Sequence, residues 1–397
     1  GYNGGAVNMN MHTNTSYLTA ASYITGNGEV NFDISNSAVW NMTGSSKATD
    51  MNINNGIVDL RADKNRYSTL TAANLTGSGG IFKMDIDVRS MESDKLYITD
   101  DFSGTQAIDI YQKDAYVPEG SSMEGTGLVL ASVNGNGVFT AHDREGTLFY
   151  THYDLAHQAS ATASYATDWY LDKIITLDKP TTSVETVTAA GALNYHTWRN
   201  ENDKLLKRMG ELRHNGDDEK GAWFRVKGSK IGRDGKFAFE NKYTTYELGY
   251  DELTKKTATK TRYQGAAISY TDGSSSYQSG SGDNSSKAIS FYNTELGNKG
   301  HYLDVVLKFS HMDNDFKVYD TANNKITGSI ENTGVALSAE YGRKKNLDKG
   351  WYIEPQAQFT LGYLGGDNYR TSNGIEVSQS GIKSAVGRIG FNIGKEV

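Results

Sequence analysis

From Trp351 the chain reads WYIEPQAQFTLGY, and its side chains sort by parity. Trp351, Ile353, Pro355, Ala357, Phe359, Leu361 and Tyr363 are apolar or neutral; Glu354, Gln356, Gln358 and Thr360 between them are polar. A period of two puts the two sets on opposite faces of a strand. The same parity sets Leu303, Val305, Leu307 and Phe309 against Asp304 and Lys308. It also sets Val335, Leu337, Ala339 and Tyr341 against Ser338 and Glu340, and Ile389, Phe391 and Ile393 against Arg388 and Asn392. About eight such strands follow Gly221, each about 11–20 residues long, beyond the ordinary soluble length. Soluble antiparallel sheets alternate too. Long strands with an aromatic at each end of the apolar row fit a transmembrane barrel, whose dry face points outward into lipid.

A second segment makes sense only beside the first. After Pro180, Thr182 and Glu185 have capping-box spacing, and helix formers then run to about Arg213. A helix over about 184–213 would be about 45 Å long, more than the hydrocarbon core of a bilayer. Yet Arg199, Glu201, Asp203, Lys204, Lys207, Arg208, Glu211 and Arg213 are too polar to face lipid. Leu205, Met209 and Leu212 give only a narrow apolar stripe. An ordinary surface helix is one reading of this pattern. A helix inside a polar, water-filled lumen accounts for both length and charge.

The first 180 residues are different. Short alternating strands recur (EVNFDI from Glu29, AVWNMT from Ala38, MNINNGIVDL from Met51, STLTAANL from Ser68, GIFKMDIDV from Gly80), separated by Gly, Asn, Ser and Asp. They fit either a sandwich or the rungs of a parallel β-helix. With 43 Gly, 3 Pro and 25 Tyr the chain reads as all-β with tight turns, and zero Cys rules out disulfides. Residues 1–180 carry 11 Lys and Arg against 21 Asp and Glu, and residues 181–397 carry 29 against 26. Neither has the basic field of a nucleic-acid binder. His12, His142, His152 and His157 lack an HExxH setting, and no GxSxG elbow occurs, so no catalytic residue, cofactor or metal ligand is assigned. Asp85, Asp87, Asp94, Asp100 and Asp101 form an acidic cluster without calcium-loop spacing, which reads as a solvated face. GSGG at Gly77 is followed by no helix signal and reads as a turn rather than a phosphate cradle.

Between Trp198 and Arg225 the sequence carries a specific signature. Trp198, Arg199 and Asn200, then Leu205, Arg208, Met209, Gly210, Glu211, Leu212 and Arg213, then Gly221, Ala222, Trp223 and Arg225, closely resemble the helix-to-barrel junction of classical autotransporters (type V secretion). WNMTGSSKATDMNINNGIVDL from Trp40 resembles the late rungs of pertactin-like passengers, as do Asn74, Leu75, Gly77, Gly79 and Gly80 and then Ser93, Asp94, Lys95 and Leu96. In that family these precede a terminal autochaperone cap, whose last strand Trp169, Tyr170 and Leu171 resemble.

The resemblance implies an all-β chain of four parts: 1–92 the last rungs of a passenger β-helix, 93–180 the cap, 181–214 a pore-spanning linker helix, and 215–397 an antiparallel barrel. It implies outer-membrane lipid as solvent, barrel-assembly machinery and periplasmic chaperones as partners, a monomeric barrel, and a passenger at the cell surface facing a host or cell-surface ligand. An adhesin-like passenger is the leading expectation; the alternative is the translocator of a protease or lipase whose catalytic region lies upstream. Some members self-cleave at paired asparagines before Arg-Met-Gly; here Asn202, Asp203, Lys204 and Leu205 occupy that interval, so cleavage there is not expected. Lumen-facing candidates are Arg225, Lys227, Glu247, Asp251, Asp304, Lys308, Glu340, Glu354, Gln356 and Arg388; all but Glu354 and Gln356 are expected to hydrogen-bond the helix and water, each by itself reading as pore lining rather than a specific contact.

Eight strands pose a problem. A closed eight-stranded barrel holds only its own side chains, and an open sheet leaves bare edges in lipid. The family implies twelve strands, so the chain reads as truncated at both ends. The connections GRDGK, TDGSSSYQSGSGDNSSK, DNDFKVYDTANNK and GGDNYRTSNG are predicted to be outer loops longer than ELTKKTAT, GNKG and RKKNLDKG, with 273–286 a mobile loop.

Overall fold

The computed structural model describes residues 4–61, 66–113, 120–201 and 220–395. The chain forms two compact units, Gly1–Pro180 and Thr181–Val397.

In the first unit the short strands stack in parallel, in two columns. One column runs Ala6–Met11, Glu29–Ser35, Ser46–Asn54, Thr69–Thr76, Lys95–Phe102 and Ser122–Gly135. The other runs Tyr17–Thr19, Val39–Asn41, Ile57–Asp59, Ser78–Asp87, Thr105–Gln112 and Val138–Ala141. This is a β-helix, not a sandwich. Parallel register places like on like: Phe32 sits over Met51, Met51 over Leu75, and Leu75 over Phe102, all buried. Each such side chain contributes about 1.5–3 kcal/mol by leaving water, and no rung achieves that alone. At the corner between the columns, Gly77 (φ +95°) lies under Gly104 (φ +94°). A Cβ on either would overlap a backbone carbonyl of the neighbouring rung, so this glycine run serves the coil's corner.

The stack ends in antiparallel pairing. Ser122–Gly135 pairs with Thr167–Pro180, which pairs in turn with Phe149–Ala159. Trp169 stands opposite Ala131, which continues the Leu70–Leu96 file, so an indole closes the open end of the core. It meets Phe139 edge-on at 5.7 Å and the His157 ring at 4.8 Å. Leu171 is fully buried beside it, and Tyr170 points to the half-exposed side.

The second unit opens with α1 (Thr182–Asn200), capped by Thr181, whose hydroxyl accepts from the Val184 N–H. The cap is therefore one residue earlier than the capping-box spacing at Thr182 suggested; Thr182 is already helical. Eight long strands follow: β1 (Lys220–Arg233), β2 (Phe239–Lys256), β3 (Lys260–Tyr277), β4 (Gly280–Gly297), β5 (His301–Tyr319), β6 (Lys325–Arg343), β7 (Trp351–Leu364) and β8 (Ile382–Lys395). Each pairs antiparallel with the next. Among the described residues β1 and β8 do not pair with each other, so the sheet is curled and open.

The register reveals the tilt. One row runs from Phe224 through Leu248, Ile268, Ile289, Phe309, Val335 and Tyr363 to Lys383. It is apolar until the last strand, where the apolar residues are Ile389, Phe391 and Ile393, about six to ten positions further along. The band therefore drifts by about one residue per strand. A rise of about 3.3 Å per residue against about 4.8 Å between strands gives a tilt of about 35°, the value of a membrane barrel.

The outer connections differ from expectation. Residues 278–279 suffice to join β3 to β4, and 320–324 join β5 to β6. The low-complexity run 273–286 is a strand hairpin rather than a loop. Its small residues carry the ladder past the lipid band, and inward Tyr243 and Tyr277 pack over Gly273 and Gly282, where a larger residue would not fit. Only the connection after β7 is long, and it folds back as a hairpin of Asp367–Arg370 and Glu376–Gln379.

Candidate functional site

Parity determines what the two faces of the second unit offer. Outward, Phe224, Leu248, Ile268, Phe291, Phe309, Leu337, Phe359 and Phe391 are exposed apolar side chains. An uninterrupted surface of this kind has lipid as its natural solvent. Inward, polar residues line the curl, and α1 lies against them.

The helix is held by side chains from strands far apart in sequence. Asn194 donates to Asn332 Oδ1 at 2.9 Å, and Asn241 donates to Thr197 Oγ1 at 3.1 Å. Asn314 donates to the Ala190 carbonyl at 3.4 Å, and Asn200 to the Tyr243 hydroxyl at 2.5 Å. Just past the helix, the buried Glu201 carboxylate lies 3.2 Å from Lys308 Nζ and accepts from Thr271 at 3.4 Å. A buried charge of this kind is tolerated because it is paired and hydrogen-bonded. From the hairpin after β7, Asn373 donates to Ser183 at 2.8 Å. Ala189, Ala190 and Leu193 pack with Phe239, Phe316, Val318, Ile326 and Ile330 where the lumen turns apolar.

Of the linker motif, Trp198 is buried, while Arg199 and Asn200 are exposed, Asn200 still donating to Tyr243. Leu205, Arg208, Met209, Gly210, Glu211, Leu212 and Arg213 lie outside the described residues. The ten lumen candidates all occupy inward positions, seven of them buried. Lys308 reaches the helix segment as described. Seven of the others tie strand to strand. Arg225 pairs with Glu247, and Tyr292 donates to Asp251 while accepting from Trp223. Thr294 donates to Asp304 at 2.6 Å; Tyr302 bridges Glu340 and Gln356; Arg388 lies 3.4 Å from Glu340. Glu354 and Lys227 line the same wall. Asn194, Asn241, Asn314 and Asn332 are neutral, so charge does not mark them in the sequence; inward parity is the signal that singles out the three on strands.

In the first unit Asp94 is buried and accepts from the Ser68 N–H at 2.6 Å and the Asp85 N–H at 2.8 Å. Burial pushes its carboxyl up to about 6. It is a joint between rungs, whereas Asp100 and Asp101 are solvent-exposed. Among the described residues two hydroxyl–imidazole–carboxylate lines occur: His311, exposed on the outer face of the long-stranded sheet, lies 3.4 Å from Thr333 Oγ1 and 3.5 Å from Asp313, and His12 Nδ1 is 2.9 Å from Ser35 Oγ with its Nε2 3.8 Å from Asp33. The His12 line lies open to water, and the adjacent N–H groups of Asn36 and Ser37, which an oxyanion would need, are spent on the Asn54 and Asn55 carbonyls.

A β-helix followed by a tilted antiparallel sheet, apolar outside and polar around a helix inside, defines an outer-membrane translocator carrying its own exported segment. Residues 222–397 match the family model described as Autotransporter beta-domain, and residues 48–173 match the one described as Pertactin. The second unit is thus an autotransporter beta-domain and the first carries a pertactin-like passenger segment, a pairing that places the protein in the bacterial outer membrane with the passenger at the cell surface. It is similar to the Pertactin autotransporter of Bordetella bronchiseptica, 27% identical over 91% of this chain and 43% of that one. It is also similar to the Serine protease pet autotransporter of Escherichia coli, 24% identical over 91% of this chain and 27% of that one. A solved structure, the beta domain of the Bordetella autotransporter BrkA, aligns with a TM-score of 0.41 at 27% identity, over 45% of this chain and 73% of that one. The chain thus spans less than half the length of the two full-length relatives, pertactin and the pet autotransporter.

Proposed function

We propose that the second unit exports the passenger and then keeps α1 in its lumen as a plug, while residues 93–180 act as the cap from which β-helix rungs fold outside the cell. The observation that carries this reading is the set of hydrogen bonds and the ion pair from inward side chains of β2, β3, β5 and β6 to Ala190, Asn194, Thr197 and Glu201. A helix this polar gains its stability from such a wall, and the wall gains a satisfied partner. Folding of rungs onto the cap buries apolar surface and disfavours retreat through the pore. In this reading 1–92 are terminal rungs, 181–214 the linker and 215–397 the barrel, assembled as a monomer by the barrel-assembly machinery with periplasmic chaperones.

The passenger is adhesin-like, its ligand a host or cell-surface molecule. The match to pertactin-like rungs and the absence of an oxyanion site at His12 among the described residues favour this. A hydrolase region elsewhere in the passenger is the second reading, favoured by the similarity to a relative named as a serine protease.

The test uses the chain's lack of cysteine. With Thr197→Cys or Gln356→Cys in the assembled protein, a bulky impermeant maleimide should react at least tenfold more slowly than at exposed Asn323→Cys. Equal rates at all three sites would refute the plugged lumen.

A further inference from the structure

We propose that Trp198, seated on Gly334 and Gly362, is the latch that arrests α1 at a single depth in the lumen. This rests on the plugged-lumen proposal and names the residue that sets the plug's register. The Trp198 side chain is 2% exposed and is the largest buried group on the helix. Met312, Ala336 and Leu364 surround it, with Tyr195 and Ile382 at the margin. The floor of its seat is bare backbone. A Cβ on Gly334 would overlap the indole Nε1, and one on Gly362 would lie 2.6 Å from Cη2. Two adjacent strands thus each omit a side chain at the spot where one ring enters.

The flanking contacts fix the same register. Asn194, Trp198 and Glu201 lie at i, i+4 and i+7, on one helix face. Asn332 and Gly334 are successive inward positions of β6, and they meet Asn194 and Trp198 respectively. Glu201, a turn below, meets Lys308 of β5. A slip of one turn, about 5.4 Å, would carry the indole off its notch onto a wall with side chains. It would also separate Glu201 from Lys308 and leave both charges buried and unpaired, which is costly. Towards the N-terminus the buried face is Ser183, Thr186, Ala189, Ala190, Leu193 and Asn194, with no aromatic ring among them. Such a face slides past the glycine notch without a deep minimum. Trp198 is the first group on it that fills the notch, so outward movement of the linker stops there.

The experiment reads depth directly in the full chain assembled in outer membranes. Ser183→Cys with Asn373→Cys places two thiols where a 2.8 Å hydrogen bond now joins the side chains. The parent pair should oxidise rapidly, and the reconstituted pore should be electrically quiet. Trp198→Ala should slow cross-linking at least fivefold and produce bursts of open conductance, whereas Trp198→Phe should stay near parent. Gly362→Ala alone should behave like Trp198→Ala, and the smaller ring of Trp198→Phe should restore cross-linking in the Gly362→Ala background. Heat-modifiability on gels confirms in each case that the barrel has assembled. If Trp198→Ala cross-links and conducts like the parent, the latch is refuted and the polar pairs set the depth. If the parent pair fails to cross-link, the plugged lumen itself is wrong. Absence of rescue by Trp198→Phe would refute the steric seat.

Discussion

The two units use the same alternation of polar and apolar residues and turn it in opposite directions. In the rung stack Leu75, Leu96 and Phe102 point inward and are fully buried, while Asn31, Asn52 and Asn74 point outward. In the long-stranded sheet Phe291, Leu337 and Phe359 point outward, while Asn241, Thr294 and Glu340 are the buried ones. The dyad pattern gives the strand but not which side is inside. That choice follows from strand length and from what fills the interior. Short strands in two columns close over their own side chains. Long strands curl around a helix with its own polar requirements.

The sharpest way to break this comparison is to apply one kind of damage to both units. Trp169→Ala removes the indole that closes the apolar core and should cost the first unit about 3–5 kcal/mol. Surface-exposed passenger should become protease-sensitive while the barrel stays heat-modifiable. An equally resistant passenger would show that the cap does not close the core. The converse change is Leu337→Arg, a charge on the lipid face, which should cost about 2–4 kcal/mol near the midplane. It should lower the yield of heat-modifiable barrel, whereas Ser338→Arg, one residue away and inward, should disturb the helix wall instead.

A third test concerns a polar group buried where the rest is apolar. The Asp94 carboxyl is raised to about 6, above its unfolded value of about 3.9. Between those values the folded state holds a proton that the unfolded chain lacks. Its contribution to stability is therefore fully present below about pH 4 and lost as pH rises through about 6. Urea midpoints of the passenger should fall over that window, and Asp94→Asn should flatten the slope. The variant should also cost about 1–3 kcal/mol, because one of the two N–H donors then faces an amide NH2. The smallest effect is Thr181→Ala, which removes the cap of α1 and should cost about 1 kcal/mol. It would register as faster labelling of a cysteine at Thr188, with no change in the passenger.

Much of the architecture was legible. Parity along 351–363 and 301–309 predicted strands, faces and girdle; of the charged linker residues Glu201 meets the polar wall, Arg199 is exposed and the other six lie outside the described residues. What was not legible depended on juxtaposition across the chain. Gly334 and Gly362 are unremarked in sequence because a glycine in a strand announces nothing about a ring arriving from residue 198. Asn194 and Asn332 are 138 positions apart, and each alone is an ordinary polar residue. The serine- and glycine-rich run 273–286 looked like a loop by composition, yet its ladder is continuous because inward tyrosines need small neighbours. The cap at Thr181 rather than Thr182 is a boundary that only backbone geometry decides.

The inversion itself can be measured along one strand. Nitroxide labels placed singly at Ala357, Gln358, Phe359 and Thr360 of β7, in the assembled protein in lipid vesicles, report accessibility to oxygen dissolved in lipid and to a water-soluble nickel chelate. Positions 357 and 359 should be relaxed by oxygen and shielded from nickel, and positions 358 and 360 should show little of either, because the helix-filled interior admits neither freely. Oxygen accessibility at 358 and 360 matching that at 357 and 359, or strong nickel accessibility at 357 and 359, would contradict a sheet whose apolar face meets lipid and whose polar face meets α1.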